Sequence, residues 1–96
     1  MTTAIVTIPE TIYAPCVHLN GTSKQELMDN LDSVHRALEV ARDQLKIAAP
    51  NGRDWYLGTV RLKQAQDQHV ARMRAIDALQ AGLEVEMAMI EADKQS

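Results

Sequence analysis

A single run of apolar positions constrains this chain more than anything else in it. Leu27, Leu31, Val34, Leu38, Ala41, Leu45 and Ala48 follow one another at alternating steps of four and three. That rhythm keeps one stripe of a helix apolar over three heptads, whereas a strand would divide it between two faces. Ser23 and Glu26 match a capping box ahead of it, and Thr22 with Gln25 fits the same pattern one residue earlier. Behind it, Pro50 and Asn51-Gly52 stop a helix. The expected first helix covers 22–49, and its stripe must be covered by something.

The cover is close at hand in the sequence. After the link 50–58, a second helix is expected over 59–93, carrying Leu62, Gln66, His69, Met73, Ile76, Gln80, Leu83, Met87 and Ile90 on one stripe. A short link makes the two helices antiparallel neighbours. Gln66, His69 and Gln80 interrupt that seam, and polar residues in such places fix register and partner number. Trp55 and Tyr56 in the link are expected to close that end of the hairpin by packing over the last apolar layer.

The second helix also carries a second stripe. Ala71, Ala75, Ala78, Gly82, Val85, Met89 and Ala92 repeat at the same steps on nearly the opposite face. A helix in a lone hairpin needs one apolar stripe, so the other asks for a further partner. Small residues let another helix come close. The plainer explanation is that alanine is a good helix former on a wet surface, but Gly82, Val85 and Met89 are not favoured there for that reason. Two helices in 96 residues also make a thin core. The expected fold is therefore all-α: an antiparallel two-helix hairpin (22–96) with an extended N-terminal arm (1–21), assembled into a homo-oligomeric helical bundle. The arm is assigned as extended because 2–19 are rich in β-branched residues, contain Pro9 and Pro15, and show no helical period.

Composition narrows the function classes. The net charge of −3 argues against binding long nucleic acid. No apolar run approaches a membrane span, and MTTAIVTIPE lacks the basic start of a signal peptide. A single cysteine, Cys16, excludes an internal disulfide and fits a reducing compartment. Cys16 and His18 do not make a four-ligand zinc set, and His35 and His69 lack partners at helical spacing, so no metal and no cofactor are expected. No Gly-x-Ser-x-Gly motif, catalytic Cys-Gly pair or phosphate-binding glycine loop occurs, so no enzyme is expected. Charge is nonetheless uneven. Arg53, Arg61, Lys63, Arg72 and Arg74 crowd the link and the first half of helix two, while Glu84, Glu86, Glu91 and Asp93 crowd its end.

One constellation has binding potential. Thr22, Ser23 and Lys24 stand where a new helix has unpaired N–H groups, which suits an anion and is equally how an ordinary helix begins. Tyr13, in the arm between Ile12 and Ala14, either stacks a base beside those donors or pins the arm to the bundle.

The runs HLNGTSKQEL, AAPNGRDWY and QHVARM resemble a family of small phage and prophage proteins that has no assigned activity. The arm, the Gly-Thr turn before a long helix and the hairpin are similar in architecture to the phage anti-CBASS sponges. Those proteins form hexamers that sequester cyclic di- and trinucleotide signals of bacterial immunity. The resemblance implies a non-enzymatic counter-defence protein in the cytoplasm of an infected bacterial host. It further implies that Tyr13 and Lys24 grip bases and phosphates at a subunit interface, and that Gly21 and Thr22 act with either Arg72 or Arg74 in a second pocket. The alternative from another class is a phage protein–protein inhibitor or adaptor that works through its helical surface.

Overall fold

The computed structural model describes residues 11–51, 53–54 and 59–93. Two helices, α1 (Lys24–Ile47) and α2 (Thr59–Glu91), make up the architecture, with no strand among the described residues. The cross-helix partners fall in reverse order: Lys24 with Glu91, His35 with Glu84, Arg42 with Asp77. The helices therefore form the antiparallel hairpin that the two seams require.

The helix ends explain small departures from the expected bounds. Ser23 has extended backbone and its hydroxyl accepts the Glu26 N–H at 3.1 Å, so Ser23 is the cap and Thr22 precedes the helix. At the other end Ala48, expected inside the helix, is its C-cap, and its N–H reaches the carbonyls of Gln44 and Leu45 as the last turn tightens. Asn51 then folds its side chain onto the N–H groups of Arg53 and Asp54, the local turn that asparagine favours. α2 stops at Glu91, two residues short of the expected 93. Trp55 and Tyr56 lie outside the described residues.

The seam is rotated relative to the heptad reading. Leu27, Leu31, Leu38 and Leu45 turn partly inward as expected, but Val34, Ala41 and Ala48 are exposed. His35 and Arg42 take the inner places between the leucines. Each reaches an acid on α2: His35 Nε2 lies 2.9 Å from Glu84, and Arg42 Nε donates to Asp77 at 2.7 Å. Asp77 holds the guanidinium pKa above its ordinary value through this hydrogen bond and its charge. A helix packed against only one other helix has room for such side chains along the rim of the contact.

On α2 the inner stripe is as expected except at Gln66, which is exposed, with Ala65 half-buried beside it. Gln80 is the one buried polar side chain among the described residues. Its amide donates to Glu39 at 2.9 Å and, more weakly, to the His35 carbonyl at 3.4 Å. This polar interruption is satisfied across the hairpin and ties the register of α2 to α1.

The arm supplies a third layer at one end. Ile12 lies over Gly82, its Cδ1 3.5 Å from where a Cβ would stand. The Val17 N–H donates to Asp93 Oδ2 at 3.1 Å. Ile12 thus stands beside Gly82 and Val17 beside Asp93, in the same order along both segments. The arm therefore runs alongside α2 in the same direction. It brings Val17 (3% exposed) to the end where Ile90 is fully enclosed, and these two are the buried apolar residues among those described.

Part of the second stripe is thus covered within the protomer, since Ala75 and Gly82 are half-buried. Ala71, Ala78, Val85, Met89 and Ala92 stay exposed. The 3.5 Å spacing at Gly82 is ordinary van der Waals contact, so an added methyl fits. Gly82→Ala should stabilise the chain by about 1 kcal/mol, the usual helix-interior gain, read as a higher urea midpoint. A loss of stability would show that the arm presses closer to α2 than this spacing allows.

Candidate functional site

The residues nominated around the first helix start are placed by one tight turn. The Gly21 N–H returns to the His18 carbonyl at 3.1 Å, reversing the arm into Ser23 and α1. No glycine among the described residues has positive φ, so this turn does not use glycine's left-handed freedom. What it uses is glycine's lack of bulk: a Cβ at Gly21 would stand 2.6 Å from Nε2 of the His18 ring folded over it. Thr22 and Ser23 are exposed at the mouth of the helix, and Tyr13 projects from the arm with 82% of its surface open. Cys16 is exposed on the same arm.

Lys24 does not stand free beside this turn. Its ammonium donates to the carbonyls of Glu91 at 3.1 Å and Asp93 at 2.8 Å. These carbonyls belong to the end of α2, where the last backbone acceptors have no helical partner and carry the negative end of the helix dipole. Together with the Val17–Asp93 bond, Lys24 closes a clasp joining the arm, the start of α1 and the end of α2. An anion arriving at the first turn of α1 would meet a lysine already shared between two carbonyls. It would also meet the opposed dipole of α2. The electrostatics therefore favour the clasp over an open phosphate site.

Arg72 and Arg74 are exposed, and neither has an ion-pair or hydrogen-bond partner among the described residues. The carbonyl that Lys24 holds is Glu91, 19 residues beyond Arg72, which is about 28 Å along the helix. One protomer thus gathers Gly21, Thr22, Ser23 and Lys24 at one end, holds Tyr13 further along α2 beside the Ile12 that meets Gly82, and leaves the arginines lower still. A pocket joining the Gly-Thr turn to either arginine requires a second chain.

A shallow, open depression on α2 is lined by Val60, Lys63, Gln64 and Asp67, away from all the nominated residues. Among the described residues no three His, Cys, Asp or Glu side chains gather into a metal-binding set. No described helix is long and apolar enough to cross a membrane. No protein-family model, curated protein or solved structure matches the chain.

The clasp is the part that reading the sequence missed. Lys24 at the first position of α1 and Asp93 just beyond α2 were both visible, but their meeting depends on where the second helix stops. Lys24→Gln, which shortens the side chain and removes its charge, should cost about 1–2 kcal/mol, as expected for charge-assisted hydrogen bonds to backbone. Chemical denaturation of ligand-free protein measures it; an unchanged midpoint would show that the clasp contributes nothing.

Proposed function

We propose that this chain is a non-enzymatic protein-binding module, of phage origin as its sequence resemblance implies, that blocks or bridges another protein through its helical surface. The observation that carries this reading is the outer face of α1. Val40 and Ile47, one heptad apart, stand 61% and 79% exposed there. Single exposed apolar residues are ordinary, but large ones repeated along one helical stripe form the kind of surface a partner covers. With its ammonium committed to α2, Lys24 supports a structural role at the position where nucleotide capture would need a free cation.

Sequestration of cyclic di- or trinucleotides at subunit interfaces is the second reading. It is favoured by the open Tyr13 ring and by the two arginines without partners. In that version Tyr13 stacks a base, and Arg72 or Arg74 of one chain completes the Gly21-Thr22 turn of another.

One pair of measurements separates them. Tagged full-length protein incubated with bacterial lysate should retain a protein in stoichiometric amount, and the double change Val40→Glu with Ile47→Glu should abolish that retention. Calorimetry against a panel of cyclic di- and trinucleotides should register no heat. Heat with one of these ligands, and no retained protein, would replace the first reading with the second.

A further inference from the structure

We propose that the segment before Thr11 continues the arm down α2 and lies as an extended strap over the stripe Ala78, Ala75 and Ala71, with Ile8 and Val6 turned onto the helix. The occupant of this face is then the chain's own leading segment, residues 1–10, which lie outside those described. The inference goes beyond recognition through α1, because it leaves the outer face of that helix open.

The described part of the arm sets the direction. Ile12 stands beside Gly82 and Val17 beside Asp93, so the residues before Ile12 head from Gly82 towards the start of α2. It also sets the phase. Thr11, Tyr13 and Pro15 are exposed, while Ile12 and Ala14 between them are half-buried. That is the two-residue period of an extended chain covered on one side. Carried back through the sequence, the same phase turns Ile8, Val6 and Ala4 onto the helix with Ile12. It sets Thr3, Thr7 and Pro9 on the wet side with Tyr13. Glu10 and Ile5 are the two exceptions. The segment also has the β-branched composition of an extended chain.

α2 carries the matching track. Gly82, on which Ile12 rests, is one member of the stripe Ala71, Ala75, Ala78 and Gly82. The absence of a side chain at Gly82 lets Ile12 down onto the helix, and the alanines below it leave a similarly low surface for Ile8 and Val6. Ala71 and Ala78 are exposed and Ala75 is half-buried. The stripe then runs through Asp67 and Gln64 to Val60, three of the residues that line the shallow depression. Val60 is 69% exposed there.

The length of chain agrees with this path. Val60 is 22 residues before Gly82, about 33 Å along the helix. Ten residues precede Thr11, and in extended form they reach about the same distance. Ile8, four residues before Ile12, comes about 13 Å down the helix, between the levels of Ala75 and Ala71.

Disulfide trapping tests the path in the full-length chain carrying Cys16→Ser. Ile8→Cys with Ala75→Cys should close a disulfide within one chain on mild oxidation of dilute protein, read by peptide mapping, since the bond needs Cα atoms within about 7 Å. Thr7→Cys with Ala75→Cys is out of phase, and Ile8→Cys with Gln44→Cys aims at α1; both pairs should stay largely open under the same conditions. Stability gives a second readout. Ile8→Asp should lower the urea midpoint, whereas Thr7→Asp, the same charge on the wet side, should leave it in place. Equal trapping at Ala75 and Gln44, a disulfide that joins two chains, or equal midpoints for the two aspartate variants overturns the proposal. Lysate capture through Val40 and Ile47 is scored separately, so either reading can fail alone.

Discussion

Two helices bury only the strip along which they touch, and that constraint governs the rest of this structure. Each leucine of the seam is covered on one side and open on another, so the usual means of holding a small domain together, a closed apolar centre, is in short supply. Polar contacts stand along the rim instead. His35–Glu84, Arg42–Asp77 and Gln80–Glu39 cross the hairpin where a third helix would have demanded apolar side chains. The two more exposed of these pairs, at Glu84 and Asp77, add little stability each, but they have defined geometry and, with buried Gln80, hold the two helices in one register.

Where the fold does close, it does so with a segment outside both helices. The arm lays Ile12 and Val17 along the last turns of α2, and Ile90 is enclosed as a result. Lys24 then satisfies carbonyls that would otherwise face water at the end of that helix. Its position follows from the antiparallel arrangement, which brings the first turn of one helix beside the last turn of the other. A helix start that looks like an anion site when read alone becomes a helix cap once its neighbour is present.

The hairpin was legible because periodicity along a helix is a local property. The leucine rhythm, the Ser23 cap and the Pro50 stop each depend on residues within a few positions of one another. Rotation of the seam was not legible, because whether Val34 or His35 faces inward depends on what stands opposite, and Glu84 is 49 residues away. The second stripe was expected to face a partner helix; at Gly82 the chain's own arm lies over it, while Ala71, Ala78, Val85, Met89 and Ala92 stay exposed. The candidate site was the least legible part. Tyr13, Gly21, Thr22, Ser23, Lys24, Arg72 and Arg74 are linked in the sequence by residue type alone, and the hairpin holds the Gly21–Lys24 turn at one end, Tyr13 near Gly82 and the arginines further down α2.

The Val17–Asp93 bond spans 76 residues of sequence. At ordinary rates of synthesis, the ribosome needs about 4 to 15 seconds to make the chain between them. Throughout that interval the arm has no complete shelf to lie on, since its anchors at Gly82 and Asp93 come late in the chain. The order of synthesis therefore makes the arm, first to leave the ribosome, the last part of the fold to be secured.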